Sequence, residues 1–536
     1  MQPIFIQYIY LILIILGLVM IANKFKVAYP IVLVLGGLLL STTRAFSNVT
    51  VDPELIFFIF LPPLLYEAAW QTSWKEFWKW RRVIMSFAFP IVILTSCVVA
   101  FSSNWIIPGF TLALGFLLGG IVSPPDAISA STIMRTVNAP RILVSVAEGE
   151  SLLNDASSLI VFRFALVAVI TGQFHFGEAV GSFFLVIIMG TLIGVAIGFI
   201  FYGIHRFLPT TPSIEIVLSF VAPYCMYYFA ERFHFSGVLA VVSGGLFLSS
   251  KRQQMLSYQG RVQGSNVWST IGFVLNGLVF LLIGLQLPSI ARDVEVSLTQ
   301  AIWYGLAVSL ILIVARMMST LGAALFTRFI GQFIKVADRN PGWKVPVIFG
   351  WSGMRGVVSL AAALSIPVLL ENGQPFPYRN LILFITFIVI LATLVIQGLT
   401  LPWLIRTLKP TSNLEPISGH EQEMIIQKKI VYISLQYLEE KYSVELQAND
   451  HIGNLHSRMK LDIAFFDRGF ETIKNSDTNS LLHFQQIYLE LLEQQRVVLD
   501  KMNRKSEFDE ELIRKYQSLI DMEEFKIREK LLTEIK

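Results

Sequence analysis

The sequence predicts an all-α, polytopic membrane protein of about thirteen transmembrane helices with inverted repeats and two broken helices, followed by a helical cytoplasmic tail. Three observations carry this. The chain of 536 residues is 54% hydrophobic and only 15% charged, with a mean hydropathy of +0.62, a balance foreign to soluble globular domains. Apolar runs of bilayer length recur along it. Its charges are also uneven: residues 411–536 hold 23 of the 38 acidic and 17 of the 42 basic side chains, leaving 15 and 25 upstream. Residues 1–408 therefore read as a basic membrane domain and 409–536 as an acidic soluble tail.

The first apolar run, Ile4 to Ala22, lacks the basic flank and small-residue cleavage site of a signal peptide, so it reads as a retained helix. Further runs lie near 28–40, 55–70, 83–101, 110–134, 142–172 and 179–204, then 213–230, 236–250, 267–288, 298–327, 345–370 and 380–405. The connecting loops test this count, because Lys and Arg collect on the cytoplasmic side. One alternate set holds Lys24, Lys26, Lys75, Lys79, Arg81, Arg82, Arg135, Arg141, Arg206, Lys251, Arg252, Arg261, Arg328, Lys335, Arg339 and Lys344. The other holds Arg44, Arg232, Arg292 and Arg379. This bias places the N-terminus outside and the tail, entered through Arg406 and Lys409, in the cytoplasm. Cys97 and Cys225 fall inside apolar runs without metal-site company and read as packing residues.

Two runs are interrupted where a helix should continue. The fifth contains Ser123-Pro124-Pro125-Asp126, whose prolines remove backbone donors. The twelfth contains Gly350-Trp351-Ser352-Gly353-Met354-Arg355-Gly356, three glycines around a charge. Each break is individually compatible with a packing kink. Paired breaks with an ionisable residue at each point instead to a transporter whose broken helix ends face the substrate.

The sixth run carries Glu150, Ser151, Asn154 and Asp155 in an apolar stretch from Ile142 to Gly172. A carboxylate at that depth costs a few kcal/mol or more and persists mainly where it serves transport or finds a partner. Helical geometry puts Ser151 and Asp155 on one face, able to share an ion, with Glu150 and Asn154 on a neighbouring face. Glu150 needs a cation there, and Arg355 can supply it. One carboxylate, a hydroxyl and freed backbone carbonyls suit a hard cation such as Na+, with no His or Cys present for a softer metal.

Several stretches together resemble the bacterial and animal Na+/H+ exchangers of the monovalent cation/proton antiporter superfamily. They are Phe60-Leu61-Pro62-Pro63-Leu64-Leu65-Tyr66-Glu67, Ser123-Pro124-Pro125-Asp126-Ala127, Glu148-Gly149-Glu150-Ser151-Leu152-Leu153-Asn154-Asp155, Phe235-Ser236-Gly237-Val238-Leu239-Ala240 and Gly353-Met354-Arg355-Gly356. The resemblance covers nearly all of residues 1–408 in order. It implies a thirteen-helix fold with a dimer-forming domain and a mobile core, in a plasma membrane (the inner membrane of a bacterium). It implies that Asp155 binds cation and proton in turn, with Ser151, Asp126 and the backbone near Pro124 completing a cation/proton-binding set that includes Asn154. Glu150 and Arg355 would form a structural ion pair, and Glu67 would lie on the ion path. Pro125 departs from many members and bears on backbone ligation at the break.

Arg163, Glu215 and Arg316 match no motif and read as structural pairs or snorkelling ends. Glu67 could likewise snorkel near a helix end. Asn48-Val49-Thr50 fits a glycosylation sequon on an outer loop, a short pattern that arises often by chance. Beyond Pro410, apolar residues at helical spacing, Ile426, Ile430, Ile433 and Tyr437, then Leu512, Tyr516, Leu519 and Ile520, predict a packing face in a small bundle or dimer.

No H-E-x-x-H, G-x-x-x-x-G-K-S/T, G-x-S-x-G or G-x-G-x-x-G is present, so nucleotide drive and the common hydrolytic mechanisms lack their residues. Two other classes stand beside the carrier: Asp126 with Asp155 is formally an intramembrane aspartyl protease pair, and a passive cation channel is a third reading. Broken helices with one titratable mid-membrane carboxylate favour a carrier. The expected function is electroneutral Na+/H+ antiport with K+/H+ exchange as the alternative and Li+ as a further substrate. The expected partners are the cation, the proton, the bilayer and a second copy, with no cofactor and no nucleic acid.

Overall fold

In the computed structural model the described residues are 2–25, 27–43, 56–137, 139–172, 176–292, 294–330, 332, 342–370, 373–410, 419–472, 478–503, 513 and 516–525. They form helices and one isolated β-bridge, Leu369 to Pro375. The sequon at 48–50 and Leu512 lie outside them. The chain divides into two compact units, Met1–Thr411 and Ser412–Lys536.

Each apolar run of the first unit coincides with a helix or a helix pair. These are α1 (Gln2–Phe25), α2 (Tyr29–Ser41), α3 (Leu61–Gln71), α4 (Trp74–Ser86) continuing into α5 (Val92–Ile106), and α6 (Leu112–Val122) with α7 (Ala127–Thr136). Then follow α8 (Arg141–Thr171), α9 (Phe176–Phe207), α10 (Pro212–Arg232), α11 (Gly237–Met255), α12 (Tyr258–Arg292), α13 (Leu298–Ile330), α14 (Lys344–Trp351) with α15 (Val357–Leu364), and α16 (Arg379–Leu408). Among the described residues, eight spans are long and apolar enough to cross a membrane by length and composition, counting α4 with α5 and α6 with α7 as single spans.

Two helical groups are distinguishable by their packing. In one, α12 lies along α2, α9 along α11, and α3 and α10 against α11. In the other, α5, α6 and α8 pack together, with α13 against α14 and α16. Contacts between the groups are sparse, chiefly α8 with α11 and α3, and α16 with α12 and α2. Small residues set close crossings in the first group. A Cβ on Gly284 would collide with Val34 O, and one on Gly37 with Leu281 O, so the α2 and α12 backbones touch. Gly284→Ala is expected to lower stability by about 1–3 kcal/mol through forced separation. Thermal unfolding in detergent measures it, and an unchanged transition would mean that the helices cross more loosely.

Irregular backbone is local and has causes. Pro90 sits in a π-helical turn, Phe87–Ile91, between α4 and α5. There Ala88 O accepts a 2.5 Å hydrogen bond from Ser157 Oγ, tying the turn to α8. Glu215, buried near the start of α10, accepts from Ser257 N at 3.2 Å and Ser257 Oγ at 3.0 Å, and so caps the start of α12.

The second unit contains α17 (Gly419–Lys441), α18 (Ser443–Ala448), α19 (Asp450–Thr472) and α20 (Thr478–Asn503). Leu435 and Leu492 are buried, and Glu439 on α17 pairs with His456 on α19 at 2.7 Å. Arg496 binds Asp521 at 2.7 Å and also Glu524. Within the chain, Ile426, Ile430, Ile433 and Tyr437 of the expected packing face are all more than half exposed, as is Tyr516. Leu435 faces inward instead, on the opposite side of the same turns.

Candidate functional site

The site begins with two chain breaks that meet. After α6, Ser123 Oγ bonds Ser96 Oγ of α5 at 2.7 Å and donates to Gly119 O. Pro124 and Pro125 have no N–H to continue the helix, and Asp126 starts α7 as its N-cap. Its Oδ1 accepts from Ile128 N at 3.1 Å, and its Oδ2 from Ser129 Oγ at 2.7 Å and Ser129 N at 3.4 Å. At the other break, α14 ends at Trp351 and α15 begins after Gly356. Asp126 N donates to Met354 O at 2.7 Å, joining the two breaks directly. Glycine is needed at 356 because a Cβ there would lie 2.6 Å from Asp126 Oδ2.

Helix α8 passes this junction. Ser151 Oγ accepts from Ala127 N at 3.4 Å, and Asn154 Nδ2 donates to Pro125 O at 3.2 Å. Asn154 is fully buried, so it holds the broken segment, although the face it shares with Glu150 points away from Ser151 and Asp155 by helical geometry alone. Asp155 lies one residue further. Among the described residues no hydrogen-bond donor holds its carboxylate, whereas both oxygens of Asp126 are occupied by the α7 N-terminus. A cavity of about 380 Å³ is lined by Asp155, Ser151, Asp126, Pro124 and Glu67, and by Arg135 and Glu148 at the end where the basic loops cluster. Arg135 and Glu148 pair there at 2.8 Å. Glu67 accepts from Gln71 Nε2 at 2.5 Å and packs on Gly272 of α12, where a Cβ would lie 2.6 Å from its carboxyl carbon.

One expectation is corrected. Glu150 is not hydrogen-bonded to Arg355; its partner is Arg316 of α13. Arg316 Nη1 and Nη2 meet Glu150 Oε1 and Oε2 at 2.8 and 2.9 Å, a fork-to-fork pair with Arg316 3% and Glu150 1% exposed. Phe349 lies under the guanidinium at 5.5 Å. Gly353 makes the room, since a Cβ there would collide with Arg316 Cδ. Arg355 is anchored by its backbone, N to Thr393 Oγ1 at 3.1 Å, and its buried Nε and Nη1 have no partner among the described residues. Both arginines stand in apolar sequence and both could answer an acid on α8, so only the packing of α13 beside α14 decides between them.

Two residues read from the sequence as structural pairs find partners that the sequence does not name. Arg163, two turns beyond Asp155 on α8, meets Glu231 of α10 at 2.6 Å, and Glu215 caps α12 as described. The available signal is an isolated charge in an apolar run, which demands a partner without naming it.

A family model described as the transmembrane sodium/hydrogen exchanger matches residues 10–407. The chain belongs to the sodium/hydrogen exchanger family. Members of this family are transporters rather than enzymes. A sodium, potassium, lithium and rubidium/H+ antiporter of Bacillus pumilus is 35% identical over 72% of this chain and 59% of its own length. The chain thus spans about six-tenths of that relative. An uncharacterized Na+/H+ exchanger of Escherichia coli, YjcE, is 32% identical, with 81% of both chains covered. The fold is similar to that of the sodium proton antiporter MjNhaP1 from Methanocaldococcus jannaschii, with a TM-score of 0.61 at 16% identity over 76% of this chain and 99% of that one.

Proposed function

We propose that residues 1–408 form a secondary active antiporter that exchanges a monovalent cation for a proton by alternating access, with 409–536 as its cytoplasmic tail. The observation that carries this is Asp155: a buried carboxylate with no donor of its own among the described residues, at a cavity where two broken helices meet. Its protonated and cation-bound forms are both neutral at the site and can cross with the moving helices. The bare anion resists passage through a low-dielectric barrier. Coupling follows from that difference without a nucleotide. Ser151 and the backbone near Pro124 supply further oxygens, Asp126 shapes the break it caps, and Glu67 stands on the approach. Asn154 holds the break from α8. By the distribution of Lys and Arg, the cavity opens to the cytoplasm and the N-terminus lies outside. A homodimer in the plasma membrane completes the proposal.

Na+ is the first substrate to test, with K+ and Li+ beside it, since the Bacillus relative is named for all three. Proton flux in proteoliposomes with each cation in turn tests the function: exchange with none of them would overturn it. Stoichiometry gives a separate prediction. Asp155 is the cavity carboxylate with no hydrogen-bond donor among the described residues, whereas Glu150 is held fork-to-fork by Arg316, so one proton exchanges for one cation and no net charge moves. A potential of about 100 mV, worth about 2.3 kcal/mol per charge moved, is therefore expected to drive no Na+ uptake at equal pH and Na+. Potential-driven uptake that Asp155→Asn removes would bring in a second titrating group, Glu67 or Asp126.

A further inference from the structure

A second cavity, of about 440 Å³, lies on the far side of Asp155 along α8. Its floor includes Leu159 and Ile160, one turn beyond Asp155, and its walls include Arg163, Glu231 and Arg379. The first cavity reaches Asp155 and this one does not, so a single turn of α8 separates the two approaches. Arg163 belongs to the helical group that carries Asp155, and Glu231 to the group containing α11 and α12. Their contact is an ion pair across the sparse boundary between the groups, Arg163 Nη2 lying 2.7 and 2.6 Å from the two carboxylate oxygens.

The two partners are held differently. Glu231 Oε1 also accepts from Gly237 N at 3.0 Å, at the start of α11, where Ser236 caps the helix through Leu239 N. Gly237 permits this approach, since a Cβ there would lie 2.7 Å from the Tyr227 ring and 3.0 Å from Glu231 Cγ. Glu231 is therefore fixed to its own group by backbone. Arg163 is the long side chain that arrives from α8.

We propose that Arg163–Glu231 is a latch that holds the far cavity shut off from Asp155 while the near cavity is open. The proposal rests on the alternating-access reading. Opening the far side requires α8 to move against α10 and α11, and this movement must break the charged contact that joins them there. The strength of the pair suits the task. With side chains 45% and 22% exposed, it is only partly desolvated, so it biases the equilibrium by a few-fold without locking it.

The test uses the full chain in membranes, with Cys97 and Cys225 replaced by Ser and a single reporter, Ile160→Cys, in the cavity floor. A membrane-impermeant maleimide is applied from the far-cavity side. Arg163→Gln and Glu231→Gln are each expected to raise the labelling rate about two- to fivefold, and Arg163→Lys, which keeps the cation, to label close to the parent. In Glu231→Gln the amide oxygen can still accept from Gly237 N, which guards that variant against simple misfolding. Unchanged labelling in both Gln variants, or an equal rise in Arg163→Lys, overturns the latch. The readout needs no ion flux: accelerated labelling in a protein without exchange would sink the antiport reading and leave the latch. Exchange with unaltered labelling would sink the latch alone.

Discussion

Asp155→Asn is expected to reduce cation/proton exchange to the background of empty liposomes while the protein still inserts, folds and melts no lower than the parent. The amide keeps the shape of the carboxylate and removes the titratable cavity group proposed to bind proton and cation in turn. Stability is expected to hold or rise, because no donor among the described residues compensates the buried carboxylate and its desolvation is relieved. Ser151→Ala gives the contrast. If Ser151 ligates the cation as proposed, losing that ligand, worth about 1–1.5 kcal/mol, is expected to weaken apparent cation affinity about tenfold and to spare most of the maximum rate. Flux in proteoliposomes against cation concentration separates the two. Exchange near the parental rate in Asp155→Asn would place the coupling carboxylate elsewhere, and an equal loss of maximum rate in Ser151→Ala would give Ser151 a role beyond ligation.

What is legible in the sequence follows from which forces are local. Spans are legible because hydropathy over about twenty residues is a property of the segment itself. The breaks are legible because Pro124, Pro125 and the glycines at 353 and 356 change the backbone wherever they stand. Asp155 stands out in the sequence because a carboxylate in an apolar run needs a reason, and the structure puts it on the cavity where the breaks meet. The partner of a charge is a different kind of fact. Glu150 lies 166 residues from Arg316, and nothing in either segment states which helices will adjoin. Arg355 sits within a motif and so attracts the assignment, although the geometry of the motif serves Arg316: Gly353 is small so that the Arg316 side chain can pass. Asn154 shows the same limit. Its helical face follows from its position, but the segment it holds at Pro125 comes from another helix. The tail stripe is open for a related reason, since periodicity identifies a face and leaves open what covers it.

The buried cluster of Glu150, Arg316 and Arg355 leads to an ordering of stabilities that separates the observed pairing from the expected one. Arg316 and Glu150 share two hydrogen bonds at 2.8 and 2.9 Å, and Arg355 interacts with both by charge without a hydrogen bond to either. Glu150→Gln therefore leaves the Arg316 guanidinium buried without its carboxylate, with Arg355 as a second buried cation. It is expected to be the most damaging single change, at about 3–5 kcal/mol. Arg316→Gln strips Glu150 of its fork, but Arg355 remains nearby to offset the charge, so the loss is smaller. Arg355→Gln removes the excess cation and costs least. The double variant Glu150→Gln with Arg316→Gln should be more stable than Glu150→Gln alone, since the uncompensated charge is relieved, and the cycle should show a coupling energy of about 1–3 kcal/mol. Melting in detergent for the three single variants and the two doubles containing Glu150→Gln measures this. If Arg355→Gln proved as harmful as Glu150→Gln and coupled to it more strongly than Arg316→Gln does, the pair would run through Arg355 after all, and the geometry around Gly353 would need another explanation.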